Sequence, residues 1–243
     1  MIRAHSTYMA YNLGKGETHT SIGLSADPFK ALIVPRPIGW ITTVGETGVN
    51  TAPYSFFAAV STTPYMVMFT ANGSHAEDGG AKDSVANAVE SGEFVVNIAS
   101  ESNLEAVAGT GAHVSRSVDE GSHPALGNSG YLDSLVVAPP RLAVSPAHLE
   151  CSIVQTLDLP SDSPGVHNTM VIGRVEAVHI SPDILDDKGE AIDAVKLAPL
   201  ARMGGFEYAT INNRDQILVP PRSASERSLR QSPPDLFSPR NAI

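Results

Sequence analysis

Pro35 to Ser61 reads P-R-P-I-G-W-I-T-T-V-G-E-T-G-V-N-T-A-P-Y-S-F-F-A-A-V-S, and the fold turns on how this stretch is read. Ile38, Trp40, Ile41 and Val44 supply the β-branched and aromatic side chains of a strand. Gly45-Glu46-Thr47-Gly48 then offers glycines for a hairpin turn, where positive φ is required, and Val49 to Ser55 runs back. Thr42, Thr43, Asn50, Thr51 and Ser55 stand where a purely structural hairpin carries Val or Ile. Two readings are open at this point. One is an edge hairpin with solvated threonines, since Thr is a good strand former; the other is the polar wall of a binding surface.

Outward from the hairpin, Tyr65 to Thr70 is an apolar run of strand length, explained by burial on both faces. From Lys82 the period changes: Val85, Ala88 and Val89 share one face of a helix that Asp83 is predicted to cap and Gly92 to end. Phe94 to Ile98 predicts a strand, and Glu101 to Ala108 a second short helix capped by Ser100 or Ser102. Residues 109 to 134 predict a long excursion, of the kind that in a compact domain carries function. Strand signals return at Leu135-Val136-Val137, then at Leu149 to Ile153 and Thr169 to Ile180; a turn at Ser161 to Gly165 makes the last two an antiparallel pair.

Upstream, Asp27 to Leu32 predicts one short helical turn, with Asp27 as N-cap and Pro28 at the first helical position. Three regions result: a polar arm over 1–26, one β-rich domain over 27–219, and a Pro-, Ser- and Arg-rich flexible tail over 220–243. Many strands joined by short turns, with helices inserted rather than alternating, point to an antiparallel barrel and away from a doubly wound sheet.

The chain has 243 residues, 16 basic against 26 acidic, for a formal charge of −10. Such a balance repels phosphate backbones, so neither nucleic acid nor an anionic membrane is an expected partner. A single cysteine, Cys151, cannot close a disulfide within the chain and fits a reducing cytoplasm. The opening residues lack the apolar core of a signal peptide, and no stretch approaches the roughly 20 apolar residues of a membrane helix.

Several mechanisms are set aside. Gly109-Thr110-Gly111 starts like a dinucleotide fingerprint, but Val114 occupies the third glycine position. There is no P-loop and no nucleophile elbow. The 8 histidines are scattered without metal-ligand spacing, so no metal is expected. Cys151 reads as a packed strand thiol. Lys82-Asp83-Ser84 is more informative. Unpaired amides at the helix start, the Lys82 ammonium and the Ser84 hydroxyl form a mouth of phosphate size, with Asp83 as the cap that holds the turn.

Taken together, these segments resemble a known family. Pro35 to Thr43, Gly48 to Phe57, Lys82 to Asn87, Glu93 to Ile98, Ala147 to Ser152, Val171 to Val175 and Ala201 to Tyr208 occur in the order and at roughly the spacing of the flavin reductase-like family. The resemblance covers about residues 28 to 210. It implies a mainly β protein, an antiparallel Greek-key FMN-binding split barrel with a few short inserted helices. A homodimer with flavin near the subunit interface is implied as well.

Carried onto this sequence, the family pattern places Arg36, Thr42, Thr43, Asn50, Ala52, Ser55, Phe56 and Phe57 facing or flanking the flavin, with Thr43 and Ser55 within hydrogen-bonding reach. Lys82, Asp83 and Ser84 match a Lys-Asp-Thr segment near the phosphate, with the hydroxyl retained. Arg202, Gly204, Gly205 and Tyr208 match a segment that closes over the site. The implied activity is hydride transfer from NADH or NADPH to FMN, with a monooxygenase or another electron-transfer protein as downstream partner. A Gly-Asp-His segment that serves the nicotinamide in short members is missing. Two rivals therefore stand beside the reductase: an FMN electron carrier or flavin-binding module without a nicotinamide site, and a self-contained flavoenzyme acting on a small organic substrate.

Overall fold

The computed structural model describes residues 8–111, 124, 126 and 130–211. The tail predicted over 220–243 and most of the excursion after Gly111 lie outside the described residues. Before the barrel, two single 3-10 turns, Leu13–Lys15 and His19–Ile22, bury nothing. The first α-helical turn, α1, is Phe29–Leu32, so Pro28 and not Asp27 stands at its N-cap, while the Asp27 carboxylate, one residue earlier, accepts the Phe29 amide at 2.9 Å.

The strands follow in order: β1 Arg36–Pro37, β2 Gly39–Gly45, β3 Gly48–Tyr54, β4 Phe57–Thr62 and β5 Tyr65–Asn72. Helix α2 is Asp83–Ser91, followed by β6 Glu93–Ile98 and, after a 3-10 turn, α3 Leu104–Gly109. Next come β7 Tyr131–Leu132, β8 Arg141–Leu142, β9 Ala147–Leu159 and β10 Asn168–Ile180. A short α4, Ala194–Leu197, leads to β11 Ala201–Arg202 and β12 Tyr208–Ala209.

Seven strands form one antiparallel sheet in the order β3-β2-β6-β9-β10-β5-β4. Consecutive strands β3 and β4 occupy its two edges, so the chain crosses from one margin to the other in the two residues between them. That wrapping gives a mainly β split barrel. A three-stranded sheet, β1-β11-β12, stands beside it.

The hairpin explains why neither face of β2 could be left polar without partners. Ile41 joins a core with Phe69, Phe94, Val96 and Cys151, while its neighbour Trp40 joins a second core with Val107, Leu126, Leu142 and Leu200 on the opposite face. Both faces are covered, so period-2 alternation sends successive side chains into two different interiors. Trp40 is fully buried and donates its Nε1–H to Thr110 Oγ1 at 2.9 Å. Burying one such large side chain contributes about 1.5–3 kcal/mol. The hairpin does lie at a sheet edge, but Thr42, Thr43 and Thr51 are fully buried, which corrects the solvated-threonine reading.

Three further expectations are corrected. Lys82, not Asp83, is the N-cap of α2, because the Asp83 carboxylate turns to His75 Nε2 at 3.4 Å. Leu135 and Val136 form no strand: their amides are captured by the two oxygens of Glu150, at 2.8 and 2.7 Å. In the hairpin turn only Gly48 takes a positive φ, at 116°. Among the described residues no helix is long and apolar enough to cross a membrane.

Candidate flavin site

A cavity of about 550 Å³ opens between α1, the start of the hairpin, the end of α3 and the β11–β12 turn. That volume lies within the roughly 300–1,000 Å³ of small-molecule sites. Its position follows from one strand pair: β1 and β11 align Arg36 opposite Arg202. Arg36 is buried, and its guanidinium donates through Nη1 to the Lys30 and Ile33 carbonyls and through Nη2 to the Met203 carbonyl at 2.8 Å. Arg36 thus clamps α1 to β11. Its Nε is a buried donor that meets no acceptor.

The closing segment owes its shape to two glycines. A Cβ on Gly204 would stand 2.7 Å from the Ala31 Cβ, so only glycine lets this turn pack on α1, and Gly205 has φ 57°, in the left-handed region. The turn returns Tyr208 to Arg202. Arg202 Nη1 donates to the Tyr208 hydroxyl at 2.6 Å, Nη2 donates to the Gly205 carbonyl at 2.6 Å, and the guanidinium carbon stands 4.6 Å from the ring centroid. Phe206, also on the cavity wall, is 95% exposed.

Charge is what distinguishes this cavity. Burial, and then the neighbouring Arg202, lower the proton affinity of Arg36. Burial, and then Lys30, lower that of Lys82. Lys30, Arg36 and Arg202 line this concavity, and Lys82 stands near enough to Lys30 for their like charges to oppose one another, in a chain of net charge −10. Unpaired like charges of this kind are relieved by an anion. With the unpartnered Arg36 Nε, this donor set fits the phosphate of a flavin nucleotide.

The residues singled out in the sequence separate into two groups. Arg36, Ser55, Gly205, Arg202 and Tyr208 line the cavity. Thr42, Thr43, Asn50 and Ser84 instead tie the hairpin to its surroundings: Thr42 Oγ1 donates to the Pro140 carbonyl at 2.5 Å, and Asn87 Nδ2 donates to Thr43 Oγ1 at 3.4 Å. Asn50 Nδ2 donates to Ser84 Oγ at 2.7 Å, joining β3 to the first turn of α2. Ala52 and Phe57 pack on the barrel core, and the Phe56 carbonyl accepts the Thr70 amide at 2.8 Å. Lys82 and Asp83 stand at the start of α2. Lys30, Phe206 and the α3 residues Val107 and Ala108 escaped the sequence reading. Lys30 had a local signal, its place in the helical turn predicted over Asp27 to Leu32; the others are brought in by long-range pairing alone.

Comparison with known proteins identifies the family and the fold. Residues 31–200 match the model of the flavin reductase like domain. An uncharacterised protein of Deinococcus radiodurans is 33% identical over 201 residues, covering 77% of this chain and 84% of the relative. The crystal structure of nitrilotriacetate monooxygenase component B from Bacillus cereus superposes with a TM-score of 0.73 at 27% identity, over 87% of this chain and 100% of that one. The 2-nitrobenzoate 2-nitroreductase of Pseudomonas fluorescens superposes with a TM-score of 0.70 at 24% identity, over 90% and 100%, and shows the same fold. This chain belongs to the flavin reductase-like family of flavin-dependent oxidoreductases and carries its split barrel.

Proposed function

We propose that the protein binds FMN in the cationic cavity and reduces it with NADH or NADPH, handing the reduced flavin or its electrons to a partner such as a monooxygenase component. The observation that carries this reading is the set of like charges at Lys30, Arg36 and Arg202 around the cavity with Lys82 beside Lys30, where burial and a cationic neighbour lower the proton affinities of Arg36 and Lys82. Arg202 and Lys82 are the groups to hold the phosphate. Arg36 fixes the frame, Ser55 supplies a hydroxyl, and the exposed Phe206 ring is placed to cover a planar ligand. When bound, the flavin supplies the hydride-accepting centre, so the protein needs only to bind, orient and screen it from water. No acid–base pair is called for.

A homodimer is part of the proposal. Val154, Leu157, Val178 and Ile180 expose apolar side chains along the β9–β10 hairpin, a surface that a second copy would cover. The likeness to a monooxygenase component B supports an oxygenase as recipient, and a cytoplasmic setting suits the nicotinamide donor.

The test is to mix the protein anaerobically with FMN and each nicotinamide in turn. Rapid bleaching of the oxidised flavin band is the expected result. Flavin that stays tightly bound and oxidised would overturn the reductase reading and leave an electron carrier.

A further inference from the structure

The flavin cavity carries more positive charge than one flavin phosphate can use. Lys30, Arg36 and Arg202 line it, and Lys82 stands near enough to Lys30 to be opposed by its charge. Among the described residues no Asp or Glu lines it. A phosphate monoester carries about −1.5 to −2 near neutral pH, so the single phosphate of FMN offsets about two cations. With Arg202 and Lys82 assigned to that phosphate, positive charge is left on the wall.

Lys30 is the lining cation whose charge is uncommitted. Arg36 is spent on three carbonyls, and Arg202 is aimed by Tyr208 and the Gly205 carbonyl. The Lys30 carbonyl is taken by Arg36, but among the described residues its ammonium has no hydrogen bond or ion pair, and the side chain is exposed. Asp27, the carboxylate nearest to it in sequence, accepts the Phe29 amide instead. Glu207, in the β11–β12 turn, is not on the wall.

The two nicotinamide donors differ at one place that such a wall can read. NADH presents a hydroxyl at the 2′ position of its adenosine ribose, which a carboxylate recognises; NADPH presents a phosphate there, which a cation recognises. The cavity has the cation and lacks the carboxylate. Total charge points the same way, because a wall still positive after FMN has bound draws the more negative donor more strongly. We propose, resting on the reading of this cavity as the FMN site, that the protein takes NADPH in preference to NADH and that Lys30 selects it through the 2′-phosphate.

Adenosine 2′,5′-bisphosphate and AMP differ only in that phosphate and separate binding from turnover. FMN-loaded protein is titrated with each by calorimetry, and kcat/KM for NADPH and NADH is measured at saturating FMN. The bisphosphate is expected to bind about tenfold tighter than AMP, and kcat/KM should favour NADPH by a similar factor. Lys30→Met should shrink both ratios about threefold to fivefold, the scale of one exposed ion pair. In the native protein both ratios should also fall as salt is raised from about 0.1 to about 1 M, where screening shortens the reach of a charge from about 10 to about 3 Å. That arm stands whether or not the variant folds. Equal affinity for the two nucleotides, NADH used as well as NADPH, or ratios unchanged in folded Lys30→Met overturn the assignment while FMN is still bound and reduced. Failure to bind FMN, or to bleach it with either nicotinamide, overturns the reading of the cavity and the donor preference with it.

Discussion

Arg202 and Tyr208 face each other across a five-residue turn: the guanidinium donates to the phenol oxygen at 2.6 Å and stands 4.6 Å from the ring centroid. The arginine is thereby aimed before any ligand arrives, which reduces the ordering cost of binding an anion. Arg202→Ala should weaken FMN binding by about 10–100-fold, the 1.5–3 kcal/mol of a hydrogen bond to a charged group. Tyr208→Phe keeps the ring and should cost less than about tenfold. Flavin fluorescence titration measures both, and an unchanged affinity in Arg202→Ala would remove Arg202 from the site.

Lys82 gives the site a pH dependence. Its ammonium is disfavoured first by burial and then by Lys30, so its free-state pKa lies below the ordinary 10.5. A bound phosphate favours the charged form and raises that pKa. Binding is thus strongest below the free-state value and weakens as pH rises through it. FMN affinity measured from neutral to alkaline pH should fall in the native protein. In Lys82→Met it should be lower throughout and flat over the same range. Parallel curves for the two proteins would contradict this assignment.

How much of this was legible in the sequence follows from the range of each interaction. The hairpin, α2 and the β9–β10 pair announced themselves through local signals: glycines at a turn, a 3.6-residue period ended by Gly92, and a long β-branched run. Alternation also put Thr42 and Thr43 on opposite faces, but not which interior each enters, because that depends on β6 and α2 packing from elsewhere in the chain. Leu135 to Val137 has strand composition, yet Glu150, buried and distant in sequence, takes the two amides a ladder needs. Asp83 has the chemistry of a cap and is drawn away by His75. The cavity itself was the least legible. Arg36 reads as a ligand from its motif, and only the fold shows its guanidinium spent on three carbonyls.

Gly173 tests the barrel core. It lies in β10 opposite Ile153, and a Cβ there would overlap the Phe94 ring and stand 3.1 Å from the Cys151 Cβ. Phe94 is fully buried in the same core, so it has little room to yield. Gly173→Ala should destabilise the fold by about 1–3 kcal/mol, the usual cost of overpacking. Adding Phe94→Leu makes room for the methyl group, so the double variant should be more stable than the sum of the two single losses requires. Urea denaturation of all four proteins gives the coupling; strict additivity would show that the two side chains do not compete for space.

Glu150 makes the strap after β7 sensitive to acid. Burial by itself raises the pKa of this carboxyl, but the Leu135 and Val136 amides and His179 outweigh it and hold the group below the usual 4.5. A folded pKa below the unfolded one means the stabilisation is fully present above the unfolded value and is lost as pH falls through the folded value. Glu150→Gln keeps one accepting oxygen and turns the other into a donor facing a backbone N–H. It should cost about 2–3 kcal/mol at neutral pH. The gap between native and variant should narrow as the pH is taken below the ordinary carboxyl range, because the native protein then loses what the variant never had. Urea unfolding of both proteins across that range reads the narrowing directly, and a gap that stays constant into acid would mean that Glu150 is not held as a carboxylate in the fold.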